Sequence, residues 1–170
     1  DWNQAGKNKV VVDDDRLRSS GGRYITGSGI PFNTPEKGPN AMCVSVWDNY
    51  PEEMSFNLSG KGNELAVFFI GVTNPMQSRV ENARFTVEYR DGTKEKVSLI
   101  NPVNFDDWLV ASVQQENETE YFSDFNHGIV RRIPLNPDKE LKSFHVRAVA
   151  NEVIVGVLGI SIQRGNPINN

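Results

Sequence analysis

A chain of 170 residues with a formal net charge of -4 is most simply one domain, large enough to bury a core without staples. The acidic balance and scattered basic residues exclude a nucleic-acid backbone as the main partner, because binding phosphates needs a cationic field. No apolar run nears the roughly 20 residues that span a bilayer, and one cysteine, Cys43, excludes an internal disulfide.

Residues 1–9 read as a linker or frayed terminus, 10–163 as the domain and 164–170 as a C-terminal tail. The chain starts at Asp1 rather than Met, as a processed or excised product does, with any targeting signal removed. Val10 to Val12 predict a short strand leading into Asp13-Asp14-Asp15. Oxygen-rich loops hold hard cations, so these three carboxylates are the candidate metal ligands, for a structural calcium. Without DxDxDG spacing, the simpler reading is a solvated acidic turn beside Arg16 and Arg18, with no cofactor.

From Ser19 to Asn40 the chain is dense in Gly, Pro, Ser and Asn, and turns separate the short segments Arg23 to Thr26 and Ile30 to Phe32. Gly27-Ser28-Gly29 lacks the GxGxxG spacing of a phosphate loop, and Pro31 and Pro35 oppose a following helix. Met42, Val44 and Val46 alternate with Cys43, Ser45 and Trp47, and Met54, Phe56 and Leu58 repeat the pattern after a turn at 48–51. An antiparallel pair is expected there. Leu65 to Ile70 is apolar on both faces, which predicts a central strand covered on both sides.

The clearest hairpin runs from Phe85 to Leu99. Phe85, Val87 and Tyr89 form one apolar row and Val97 and Leu99 the other, and the register must put both rows on one side of the sheet. A two-residue Asp91-Gly92 loop would pair Phe85 with Ser98. A three-residue loop Arg90-Asp91-Gly92 pairs Phe85 with Val97 and gives Gly92 the left-handed position of a bulged turn. The polar run SVQQENETE that follows at 112–120 reads as a loop or insertion. Tyr121 to Phe125, Ile129 to Leu135, Phe144 to Ala148 and Val153 to Ile162 complete the pattern, with Gly156 and Gly159 marking bulges or close approaches. About ten strands and hardly a helix predict an all-β, antiparallel β-sandwich of jelly-roll type.

Ser123, Asp124 and His127 lie within five residues of one another and lack a GxSxG elbow, so a turn after a strand is the better reading than a hydrolytic triad. His145 lies on the polar face of a strand, and two histidines and one cysteine far apart give no zinc spacing. Glu52-Glu53, Asp106-Asp107 and the Asp13 cluster could supply the paired acids of a glycosidase, whose separation sequence does not measure. A different constellation is Trp47-Asp48-Asn49-Tyr50 in one turn and Asn104, Phe105, Asp106, Asp107 and Trp108 in another. Sugars lay C–H faces on aromatic rings and hydrogen-bond to Asp and Asn, so Trp47, Asp48, Asn49, Tyr50, Asn104, Asp106, Asp107 and Trp108 are the candidate carbohydrate contacts. For either tryptophan alone, closing an end of the sandwich is the simpler role. The sequons at Asn57 and Asn117 discriminate nothing by themselves.

Gly29-Ile30-Pro31-Phe32, Tyr89-Arg90-Asp91-Gly92-Thr93 and Asn104-Phe105-Asp106-Asp107-Trp108 together resemble, in order and spacing, the galactose-binding-like β-sandwich accessory domains of bacterial polysaccharide-degrading enzymes. The resemblance spans roughly Val10 to Ile162. It implies a secreted, periplasmic or cell-surface setting and a non-catalytic module, monomeric as a fragment, that weakly binds carbohydrate or braces an adjacent catalytic domain. No catalytic residues carry over. The expectation is therefore an accessory module of a larger glycan-active protein; the alternatives are a purely structural domain and an autonomous carboxylate-dependent glycosidase or lyase.

Overall fold

The structure, a computed structural model, describes residues 13–47, 50–112 and 116–165. The expected strand at Val10 to Val12 lies outside them, as do Trp2 and residues 166–170. A single helical turn α1 (Asp15–Arg18) precedes the strands β1 (Arg23–Ile25), β2 (Pro31–Asn33), β3 (Met42–Ser45), β4 (Glu53–Asn57) and β5 (Glu64–Val72). Then come β6 (Glu81–Tyr89), β7 (Lys94–Ile100), β8 (Asn117–Tyr121), β9 (His127–Pro134), β10 (Leu141–Ala148) and β11 (Ile154–Gln163). They form a two-stranded ribbon β1-β2, a four-stranded sheet ordered β4-β10-β6-β7 and a five-stranded sheet ordered β3-β11-β5-β9-β8, with every pairing antiparallel. This is an all-β sandwich.

Period-two alternation decides which side chains meet between the two large sheets. Leu65, Val67 and Phe69 of β5 face Phe85, Val87 and Tyr89 of β6 and Phe144 and Val146 of β10, all in one buried cluster. Phe69 meets Phe85 edge-on with centroids 5.0 Å apart, and Phe85 meets Phe144 at 5.1 Å, the tilted geometry that aromatic quadrupoles prefer. The even residues of β5, Ala66, Phe68 and Ile70, belong to a second buried cluster on the outer face of the five-stranded sheet, together with Leu17, Phe32, Phe122 and Leu158. The segment carrying α1 and the β1-β2 ribbon therefore covers that outer face. β5 is buried on both sides, as its continuous apolar run requires.

The β6-β7 hairpin has the expected register. Phe85 pairs with Val97, the Tyr89 amide donates to the Thr93 carbonyl at 3.0 Å, and Gly92 sits at φ 84°. Gly159 flanks a bulge in the β11-β5 ladder and packs under Phe32, whose Cδ1 would stand 3.0 Å from any added Cβ.

Three expectations are corrected. Tyr121 to Phe125 is not a strand: Tyr121 ends β8, and 122–126 turn back into β9, with the Phe122 amide donating to the Asn126 carbonyl at 2.8 Å. β3 and β4 do not pair as a hairpin: β3 pairs with β11 and β4 with β10, so the chain crosses between sheets at 46–52. Both strands alternate, but alternation reports which face is buried and not which strand is the neighbour. Nor is the polar run at 112–120 only a loop. Its Asn117–Tyr121 portion is β8, pairing with β9 at the sheet edge, where charged side chains such as Glu118 and Glu120 suit a strand that must not recruit another.

Candidate functional site

The registers place five connections at one end of the sandwich. β5 ends at Val72 opposite Ile154, where β11 begins; Ser45, the last residue of β3, also faces Ile154; β10 ends at Ala148 opposite Ala83; and Tyr121 faces His127 where β8 ends and β9 begins. The loops 46–52, 73–80, 101–112, 122–126 and 149–153 thus share that end. Of the ten exposed large apolar side chains among the described residues, only Ile25 and Met42 lie elsewhere. Met76 at 88% exposed, Phe125 at 77%, Val110 at 69% and Leu109 at 55% dominate it, with Val80, Val103, Tyr121 and Val149 around them. Apolar side chains scattered singly need no explanation, but a cluster at one end of a molecule marks a surface that meets something.

A buried polar frame holds this end. His127 Nε2 lies 2.7 Å from Asp106 Oδ1, and the two residues are 1% and 2% exposed. The Ser112 amide donates to Asp106 Oδ2 at 2.8 Å and its hydroxyl lies 3.2 Å from the same oxygen. Trp108 is threaded between β5 and β9, its amide donating to the Gly71 carbonyl at 2.9 Å and its carbonyl accepting from the His127 amide at 3.1 Å. Gly71 permits the approach, since a Cβ there would meet the Asp106 carbonyl oxygen at 2.4 Å. Fully buried Asn82 ties the two sheets: its Oδ1 accepts from the Thr73 hydroxyl at 2.6 Å, and its carbonyl accepts from the Val149 and Ala150 amides.

Both loops singled out in the sequence reach this end. Asn104 is buried and bonds backbone, its Oδ1 accepting from the Ile100 amide at 2.7 Å and its Nδ2 donating to the Ser98 carbonyl at 3.0 Å. Asp106 is committed to His127 and Ser112. Asp107 is half-buried, accepting from the Thr73 and Leu109 amides at 3.1 and 3.0 Å, and burial pushes its carboxyl above the ordinary range despite those two donors. Trp47, Tyr50 and Trp108 are all half-buried. Asp48 and Asn49 lie outside the described residues. Trp47 follows β3 and the Trp108 backbone lies beside β5 on the side away from β11, three strand steps from β3, so at ~4.8 Å per step the two backbones stand on the order of 14 Å apart.

At the acidic cluster, Asp14 Oδ2 takes Arg18 Nε at 2.9 Å and Asn40 Nδ2 at 2.6 Å, and the Asp13 amide donates to Asn126 Oδ1 at 3.0 Å. Among the described residues no three His, Cys, Asp or Glu side chains gather as a metal site would require. Ser123 turns back on its own loop, its hydroxyl accepting from the Phe125 and Asn126 amides at 3.2 and 3.1 Å, so Ser123, Asp124 and His127 do not form a relay. Cys43 is a strand thiol whose proton burial holds on up to about 11.

The importance of His127 was hidden in the sequence by its place in a polar turn. The signal was present in its parity with Ile129 and Ile133, which puts all three on the row that faces the opposite sheet. No family model, no curated protein and no solved structure matches this chain. Among the described residues no helix is long and apolar enough to cross a membrane.

Proposed function

We propose that this chain is a non-catalytic accessory module of a larger glycan-active protein and that its loop end packs against a neighbouring domain of that protein. The observation carrying the proposal is the gathering of exposed apolar side chains at one end, on loops braced by a buried polar frame. The character of the patch favours a protein partner: Met76, Val80, Val103, Leu109, Val110 and Val149 are aliphatic and outnumber the two aromatic members, Tyr121 and Phe125, which suits burial against another apolar surface. The non-catalytic character is supported by Asp106 and Asp107, whose oxygens serve His127, Ser112 and backbone amides instead of facing a cleft. The resemblance to galactose-binding-like accessory domains supplies the glycan-active context and a secreted, periplasmic or cell-surface setting.

A second reading, weak carbohydrate binding at the same end, is favoured by the arrival there of Trp47, Tyr50 and Trp108, each half-buried. Asp107 and Trp108 on one loop and Trp47 and Tyr50 on the other would carry it, engaging an extended chain rather than a single ring.

The test is to express the remainder of the gene product separately and titrate it with the isolated chain by calorimetry. The wild-type chain is expected to bind, and the double variant V110D/F125D to lose at least about tenfold in affinity, as removal of apolar anchors does. No association, or equal association by the variant, contradicts the packing role. Polysaccharide binding that disappears in Trp108→Ala but survives in V110D/F125D would select the second reading.

A further inference from the structure

β11 runs further than the strand beside it. β3 pairs with it from Ile154 to Val157 and stops at Met42, and past that point no described strand lies on the β3 side of β11. The Leu135 amide donates to the Asn63 carbonyl at 2.9 Å, so by alternation the backbone groups of Glu64, Ala66 and Phe68 point the other way, to β11. Their partners there are Gln163, Ser161 and Gly159. The N–H and C=O groups of Ile160 and Ile162 therefore point outward, to the open side.

The space between the sheets is open along the same edge. Met42, Phe56, Ile160 and Ile162 lie on rows that face the opposite sheet, yet Met42 is 53% exposed and the other three are only half-buried. A cavity of about 340 Å³ is lined by Met42, Phe56, Val157 and Ile160 together with Pro39 and Ala41. Its rim is fixed. Asn40 Nδ2 donates to Asp14 Oδ2 at 2.6 Å and Arg18 Nη1 to the Gly38 carbonyl at 2.7 Å, which pins this segment to α1 instead of letting it continue β3 along the edge.

We infer that this edge accepts an extended segment of a partner polypeptide, about five residues long, as a further strand beside β11, its apolar side chains entering the cavity at alternate positions. Two N–H and two C=O groups in a row call for donors and acceptors at strand spacing. Another backbone supplies them, and a compact apolar molecule does not. The one polar residue lining the cavity, Asn40, has its amide committed to Asp14, so the inward residues of the guest are Val, Ile, Leu or Phe. Because the cavity lies between β4 and the 35–41 segment, it admits a single strand and not the broad edge of a second sandwich. The rim and β11 are ordered beforehand, which keeps the ordering cost of binding to the guest strand.

The test uses the peptides KTVTVTK, KTITITK, KTLTLTK and KTFTFTK, acetylated and amidated, titrated to millimolar concentration into the isotopically labelled chain and followed by amide NMR. At least one is expected to shift the Ile160 and Ile162 amides and to slow their exchange. A strand bonds through one of its two edges, so N-methylating either the apolar residues or the threonines of that peptide should abolish binding in one case and spare it in the other. Met42→Asp puts a charge at the mouth of the cavity on an exposed position and should weaken binding at least about tenfold, while V110D/F125D binds as wild type. An unchanged melting temperature verifies the fold of Met42→Asp, and if it falls the two N-methylated peptides decide alone. The inference is overturned if none of the four peptides moves these amides, if both N-methylations act equally, or if a folded Met42→Asp binds as wild type. It is equally overturned if the Ile160 and Ile162 amides already resist exchange in the isolated chain, or if the chain dimerises through this edge, since the occupant is then the chain itself or a second copy.

Discussion

Asp106 and His127 show how a single contact can determine the shape of a surface. Their 2.7 Å contact anchors the 101–112 loop to the start of β9, and the exposed Leu109 and Val110 are carried on that loop. Removing one partner of a buried polar pair leaves the other desolvated and unpaired, which costs more than the pair contributes. Asp106→Ala is therefore expected to destabilise the protein by about 3 kcal/mol in urea unfolding, whereas replacing the exposed Asp124 should fall within about 0.5 kcal/mol. A change under 1 kcal/mol for Asp106→Ala would mean that the loop holds itself. At this scale the sequence was half legible. Asp106 stood out as a carboxylate beside Trp108, but its partner lies 21 residues on, and only the fold could show that the pair faces inward.

Hairpins and edges were legible to different degrees, and the difference is physical. The β6-β7 hairpin has one buried face and a short turn, so only one register keeps its apolar rows together, and that register is found. β8 escaped notice because an edge strand of Asn, Glu and Thr buries neither face fully, which leaves no periodicity to detect. The bracing of the hairpin turn gives a pH prediction. Asp91 accepts hydrogen bonds from the Thr93 hydroxyl and amide and pairs with Lys139 at 2.9 Å, and these partners pull its carboxyl from 3.8 down to about 2. A carboxyl lowered in the folded state stabilises it above its unfolded value, and that contribution is lost as pH falls from about 4 toward 2. Asp91→Asn should therefore be less stable than wild type at pH 6, with the difference narrowing through that interval. A difference that does not vary with pH would assign the effect to the turn's shape instead of its charge. Gly92→Ala, placed at φ 84°, should cost about 1 kcal/mol at every pH.

For the whole molecule, spacing and alternation were enough to predict a sandwich, because the number of strands and their apolar faces are local properties. What they could not reveal was that five loops, far apart in the chain, would converge on one end and bring Met76, Leu109, Val110 and Phe125 together. Convergence follows from strand order, and strand order depends on crossings such as that between β3 and β4. The same crossings leave the opposite surface of the five-stranded sheet to the cap. Amide hydrogen exchange, compared between the isolated chain and the intact gene product, bears most directly on the proposal that the loop end is an interface. The proposal predicts slowed exchange in the intact protein at residues 74–80, 101–112 and 121–126, with the hairpin turn at 90–93 unchanged. Equal exchange at those loops in both forms would contradict it.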